Sequence, residues 1–378
     1  MSATSLPSPH QNSLSRYYPY LVILGIIVLC VMVLPSSLLQ STIRSATPYI
    51  LGALAALIAS RAGVLNLAIE GKMTWGAYIA VATLYNPGGE TRDPILGVIT
   101  ATIAGGALGL VFSLLYLKLR INLVILALAV NMFIDNATVF FMRTQYGMFG
   151  TLADPSIRGL PGLQIPGVSD IPVVGSLLSG YNLIVYLSWA MAIIIAVILF
   201  RTQFGRHIRA VGENVGAAES VGINVTRVQI FALTLSGMLA GMAGAFISIG
   251  VLSQFVEGMV SGRGWTAIVV SLFAFQSPIP AFFTALFFGF SEAASNYLQS
   301  RPELSLPPDL VLAFPQLVTL GALILVAVRI RGDEVLKRRR FVTEFSRELK
   351  NLSQGVLSSK PSTESVVEAE RNESEKEI

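Results

Sequence analysis

The chain alternates between long apolar runs and short polar breaks. Runs such as Leu21–Leu34, Ile95–Leu117, Leu123–Met142, Leu183–Phe200 and Ile230–Val251 carry almost no charge. Segments near 20 residues cross a bilayer core of about 30 Å as helices, and a helix satisfies its own backbone donors and acceptors in lipid. A β-barrel would show shorter, alternating segments. The lengths and breaks predict an all-α, polytopic membrane protein with about ten transmembrane helices. They fall near 20–39, 43–59, 72–85, 94–117, 121–142, 181–200, 227–250, 264–276, 279–299 and 309–329. The third and eighth are short. Pro278-Ile279-Pro280 separates the eighth from the ninth, because proline lacks a donor and fits poorly in mid-helix.

Composition agrees. Hydrophobic types make up 53% of 378 residues and charged types 13%, about half the charged share of a soluble domain. The one cysteine, Cys30, lies in an apolar run, so no disulfide or zinc site is expected within the chain. His10 and His207 lie outside the runs, which argues against a histidine metal site. The net charge of +4 sits in loops and tails and speaks to membrane orientation, not to nucleic acid. Lys118 and Arg120, then Arg201, Arg206, Arg209 and Arg227, then Arg329, Arg331 and the basic cluster at 337–340 all fall on one side of a ten-helix chain. By the positive-inside rule that side is cytoplasmic, and both termini lie inside. The opposite loops, Asn86–Asp93, Arg143–Gly180 and Leu252–Arg263, are poorer in base.

The expected organisation is a cytoplasmic segment at 1–19, a transmembrane domain at 20–331 with a cytoplasmic loop at 201–226, and a charged tail at 332–378. The apolar stretch after Met1–Tyr18 is not followed by a small-residue cleavage site, so a retained first helix is expected. The tail cannot bury a core and is expected to be disordered, with its basic cluster on anionic lipid. The Pro- and Gly-rich loop Arg143–Gly180 reads either as a docking surface for an extracytoplasmic partner or as a spacer.

Three segments are polar where lipid would forbid it. The first, Arg61–Lys72, carries Arg61, Asn66 and Glu70. The second, Val251–Trp265, carries Gln254, Glu257 and Arg263. Val64-Leu65 and Ile69-Glu70-Gly71 match Val251-Leu252 and Val256-Glu257-Gly258 at identical spacing, which suggests two inverted five-helix halves. The third, Arg206–Val225, lies in the longest cytoplasmic loop between helices. Asn214 can cap a short helix there and Gly222 can end it. Asn131, Asp135 and Asn136 interrupt the fifth apolar run, and Glu292 the ninth. Intramembrane polar groups face a cavity or a partner or glue helices together. Asn66, Glu70, Asn131, Asp135, Asn136, Gln254, Glu257 and Arg263 are therefore candidates for a solute pathway. The small residues of Gly237–Gly244 read as a helix-packing face.

The string Ala210–Asn224 resembles the cytoplasmic coupling loop of ABC importer permeases for simple sugars and nucleosides. Arg61–Gly71 is similar to their RAGVxNxxxEG motif, and Gly262-Arg263-Gly264 and the Pro278 turn also match. The likeness covers roughly residues 45–330 and is strongest to the shorter permease of bacterial nucleoside importers. Phe275-Gln276-Ser277-Pro278 departs from it, since the family more often shows a basic residue and Asn before proline.

The resemblance implies a transport subunit that binds no cofactor. Nothing in the sequence matches a phosphate-cradling Walker loop, so ATP is expected on a separate ATPase. That ATPase would dock at Arg209, Gly212, Glu213, Asn214, Ala217, Ala218, Gly222 and Ile223. Further implied partners are a second permease, homologous or identical, and an extracytoplasmic binding protein or lipoprotein. The rival readings are a permease for branched-chain amino acids or ribose-like sugars, and a stand-alone ion-coupled carrier. A membrane-embedded enzyme would need a clustered nucleophile, acid–base pair or metal set, and the sequence shows none.

Overall fold

Six of the described helices begin where a capping side chain supplies what the backbone lacks. The computed structural model describes residues 35–167 and 174–300, with isolated helical positions at 313, 316–318, 320, 321 and 324. Helices α1 (Ser36–Arg61) and α2 (Ile69–Leu84) flank the first polar segment. α3 (Pro94–Leu117) opens on proline, with the Asp93 carboxylate accepting from the N–H of Ile95. α4 (Leu123–Tyr146) is capped by Asn122 and stopped by Gly147 at φ 64°. A short α5 (Val174–Leu178) precedes α6 (Leu183–Arg201), which Asn182 caps. α7 (Gln203–Glu213) and α8 (Val215–Ser220) follow, capped by Thr202 and Asn214. α9 (Val225–Ala245) runs on as a π-helical turn, Phe246–Leu252. α10 (Arg263–Phe273) and α11 (Pro278–Gln299) complete the described helices. Each cap satisfies a donor that the first helical turn leaves open.

Five of the described helices are long and apolar enough to cross a bilayer: Ser36–Arg61, Pro94–Leu117, Leu123–Tyr146, Leu183–Arg201 and α9 with its extension, Val225–Leu252. The third and eighth expected crossings are short in the structure too. α10 has 11 residues, or about 16 Å of helix at 1.5 Å per residue.

Most of the expected first crossing and most of the tenth lie outside the described residues. The expected break near residues 40–42 is not a break, because α1 runs without interruption from Ser36. Thr42 bonds back to the carbonyl of Leu38 at 2.8 Å, so a polar residue there needs no loop.

The core is built on α1 and α9. α1 is buried from Ala46 to Ala59, and α9 packs on α1, α2 and α3. The contact between α3 and α9 is backbone to backbone. A Cβ on Gly241 would stand 3.0 Å from the Cα of Gly105, and one on Gly237 3.0 Å from the Cα of Gly109. The small residues of Gly237–Gly244 thus form a packing face, as their spacing suggested.

The loop after α4 is tied down. β1 (Thr151–Leu152) pairs antiparallel with β4 (Phe255–Val256), and β2 (Gly162–Leu163) with β3 (Tyr181–Asn182). Leu160 N–H donates to the carbonyl of Ile249 in the π turn at 3.0 Å. The chain divides after Thr319. The first unit holds every element named here, and the second, Leu320–Ile378, contributes only isolated helical positions to the described residues.

Candidate functional site

The first polar segment is a break between two helices. α1 ends at Arg61, Gly63 turns at φ 78°, and the chain then runs without regular structure to α2 with Val64, Asn66 and Ala68 buried. Asn66 is the hub of this stretch. Its Nδ2 donates to Ser236 Oγ on α9 at 2.8 Å. Its Oδ1 accepts from the N–H of Ala68 at 3.2 Å and from Lys72 Nζ at 3.0 Å. Lys72 Nζ, wholly buried, lies 4.2 Å from the centroid of Phe112. Asn131 stitches α4 to the same stretch, accepting from Gly71 N–H at 2.9 Å and donating to Leu67 O at 3.1 Å. Asn66 and Asn131 therefore have their hydrogen-bonding groups engaged inside the protein.

Glu70 and the second polar segment meet. Glu70 Oε1 accepts from Gly262 N–H and its Oε2 from Gly264 N–H, both at 2.7 Å. The carboxylate thus closes the N-terminus of α10, where free donors and the helix dipole favour an anion. A side chain on Gly264 would run into the backbone of Glu70, 2.6 Å from its nitrogen. Next to it, Arg263 pairs with Glu292 on α11 at 2.5 Å, and Tyr49 on α1 donates to the other oxygen of Glu292 at 2.6 Å. Tyr49, Arg263 and Glu292 line a cavity of about 230 Å³ with Ser261, Thr266 and Asn296.

The remaining candidates lie elsewhere. Asp135 and Asn136 are exposed on α4, among exposed Met132, Phe133 and Phe140, with Thr74 of α2 at the Asp135 carboxylate. Gln254 and Glu257 lie around β4, where Glu257 N–H donates to Gly150 O at 2.8 Å. The eight sequence-nominated residues thus fall in three places: the Asn66–Glu70–Arg263 interior, the face of α4, and the turn around β4.

The third polar segment folds as α7 and α8. α7 turns Gly205, Ile208 and Val211 inward. Arg209 lies over the ring of Phe200, 5.4 Å from its centroid. α8 buries only Ala218, so Glu213, Asn214, Gly216, Ala217 and Glu219 face outward with Val215 and Val221. Gly222 follows α8 at φ 83°, and Ile223 is half-buried.

Gly212 is not open above its Cα. A Cβ there would collide with the carbonyl oxygen of Arg61 and stand 3.3 Å from Gly63 N. Arg61 in turn donates through Nε to Gln276 O at 2.7 Å and through Nη2 to Phe275 O at 3.3 Å. Sequence reading named neither Tyr49 nor Arg61 as a site residue. Tyr49 lies between Pro48 and Ile50, and nothing local flags its partner Glu292, 243 positions away. Arg61 was visible as a charge at a helix end, but not its reach to residues over 200 positions away. Among the described residues no group of three or more His, Cys, Asp or Glu side chains could hold a metal ion.

Apolar spans, a broken helix pair and a surface loop that turns small residues outward are what a membrane transport permease would show. The chain belongs to the family described as the permease component of the branched-chain amino acid transport system, which matches residues 38–327. It is a multi-pass membrane protein and the transport subunit of an ABC system.

Its relatives include the guanosine ABC transporter permease protein NupQ of Bacillus subtilis, 32% identical over 76% of this chain and 91% of that protein. A second guanosine permease protein of that bacterium, NupP, is 28% identical over 66% of this chain and 70% of its own length. The glucose ABC transporter permease protein TsgB13 of Haloferax volcanii is 26% identical over 66% of this chain and 67% of its own. No solved structure matches the chain significantly.

Proposed function

We propose that this chain is one of two permease subunits of an ATP-driven importer for nucleosides. The observation that carries the cargo is the similarity to NupQ, which spans nearly all of that guanosine permease. The two Bacillus permease proteins, NupQ and NupP, support a pair of different permeases around one pathway. ATP is bound and hydrolysed by a separate ATPase, and a binding protein or lipoprotein delivers solute outside. A simple sugar is the second reading, favoured by the glucose permease relative. Uptake of labelled guanosine and labelled glucose by cells with and without this chain, its ATPase being present, separates the two. Glucose uptake that depends on the chain, with guanosine uptake that does not, would overturn the nucleoside reading.

The ATPase docks on 201–226, where α8 offers small and apolar side chains outward. The membrane topology is ten crossings with both termini cytoplasmic, a short segment at 1–19, the transmembrane domain at 20–331 and a charged tail at 332–378. Helices at eight of the ten expected crossings support the count. Two inverted five-helix halves fit the way α2, which opens inside the first paired motif, and α10, which follows the second, place their N-termini against each other at Glu70.

The solute pathway runs along the exposed face of α4. Thr74 of α2 meets one side of the Asp135 carboxylate, but the group is too costly to hold against lipid on its open side, so that side faces water or the second permease. Asn136 adds an amide that can both donate to and accept from a sugar hydroxyl or base edge. Gln254 and Glu257 stand at its extracytoplasmic mouth.

A further inference from the structure

We infer that the stretch from Arg61 to Glu70 is a clamp that carries motion of the coupling loop to α10, with Arg61 and Glu70 as positioning residues. The inference rests on the proposed ATPase dock at 201–226.

The clamp begins at α7. Gly212, its penultimate residue, lies directly on the Arg61–Gly63 turn. The Cα of Gly212 would stand 3.5 Å from a Cβ on Gly63, and a Cβ on Gly212 has no room beside the Arg61 carbonyl. With two glycines in backbone contact, there is no soft side chain between them to absorb a push. Gln229 on α9 fixes the same turn from behind, donating to Ala62 O at 3.1 Å.

From that turn the chain takes hold of α10 at both ends. The Arg61 guanidinium binds the carbonyls of Phe275 and Gln276 just past the C-terminus of α10. The Glu70 carboxylate binds the N–H groups of Gly262 and Gly264 at its N-terminus. A cation at the carbonyl end and an anion at the amide end each match the helix dipole. Both grips are charge-assisted hydrogen bonds, the stronger kind. Phe275 and Gln276 hold φ of 49° and 52°. For residues with a Cβ that is a left-handed backbone costing about 1 kcal/mol or more each, so the turn held by Arg61 is bent away from its relaxed shape.

A helix of 11 residues, about 16 Å long, is short enough for one stretch of ten residues to grip at both ends. α10 therefore moves as a body with Arg61–Glu70. Its first residue is Arg263, paired with Glu292 on α11 and, through Glu292, with Tyr49 on α1. A displacement of α7 arrives at that ion pair, which lines the cavity between α1, α10 and α11.

The test uses the whole transporter, with its ATPase, second permease and binding protein, in proteoliposomes. Glu70→Gln removes the charge of one grip and keeps the size, and Arg61→Gln removes the charge of the other and shortens its reach to the carbonyls of Phe275 and Gln276. Hydrolysis by the bound ATPase should stay within about twofold while uptake per ATP falls about tenfold or more, and the double variant should be no worse than either single, because both break one rigid link. Unchanged uptake per ATP in both variants, or losses that add, would overturn the clamp.

A second measurement is independent of how the variants fold. In a Cys30→Ser background, spin labels at exposed Arg206 on α7 and Leu272 on α10 should keep one separation in nucleotide-free and ATP-trapped wild type. A shift of that separation in wild type overturns the clamp. Failure of the ATPase to cross-link to a cysteine at exposed Glu219 overturns the dock instead, and leaves the α7–α10 separation to be read by itself.

Discussion

At the scale of single residues, Asn66 and Lys72 show how little a buried polar letter says before its partners are known. Lys72 Nζ is fully enclosed, donates to Asn66 Oδ1 and rests on Phe112, and among the described residues it forms no salt bridge. A buried amine held by one amide and one ring contributes little to stability, and a hydrophobic replacement of similar length is often neutral or favourable. Lys72→Met should therefore leave unfolding in detergent within about 1 kcal/mol of wild type or raise stability. Asn66→Leu should cost about 2–5 kcal/mol, because it strips a partner from Ser236, Ala68 N–H and Lys72 at once. Equal losses in a denaturant titration of the two variants would contradict this picture.

The polarity of Asn66, Glu70, Asn131 and Arg263 was legible in the sequence, since each interrupts an apolar pattern. Their tasks were not, because the partners lie far along the chain: Asn66 meets Ser236, Asn131 meets Gly71, and Glu70 meets Gly262 and Gly264. Spacing along one segment carries no information about such pairs.

At the scale of elements, the fold was legible wherever lipid dictates length. The run predicted at 94–117 is α3 to the residue, and α4, α6 and α11 begin within two residues of expectation. The misses have local causes. α1 begins before the expected break because Thr42 satisfies itself within the helix. α9 passes into a π turn at Phe246–Leu252, which hydrophobic periodicity cannot distinguish from more α-helix. The seam between α3 and α9 was legible as small residues four apart, and its tolerance follows from geometry. Gly241 faces the Cα of Gly105 and the backbone of Ala101, so neither neighbour can rotate aside. Gly241→Val should force the helices apart and destabilise the protein by about 2–4 kcal/mol. Gly147→Ala, at a left-handed helix end with open space above it, should cost about 1 kcal/mol from backbone strain. Thermal unfolding in one detergent ranks the pair, and a Gly241→Val protein as stable as wild type would mean that the seam is looser than its distances.

At the scale of the whole molecule, two apolar faces look alike in composition but not in what they can touch. On α6 the exposed Ile193, Ile194, Val197 and Phe200 form an unbroken apolar surface, which lipid tails cover at no cost. On α4 the exposed Met132, Phe133 and Phe140 flank exposed Asp135 and Asn136. An ionised carboxylate against lipid tails costs about 3 kcal/mol at the membrane centre even on the most lenient scale, so this face needs water or a protein partner. The distinction gives a direct experiment. In a Cys30→Ser background, a cysteine at Asn136 should react with a charged, membrane-impermeant thiol reagent in the assembled transporter, and saturating guanosine should slow that reaction. A cysteine at Ile193 should stay unreactive under the same conditions, with or without solute. Asp135→Asn should keep assembly and lower uptake about tenfold, as expected for the loss of one polar contact worth about 1.4 kcal/mol. Reaction at Ile193 with silence at Asn136 would place the second permease and the pathway on the α6 side, and α4 would then be the lipid-facing helix that its apolar majority resembles.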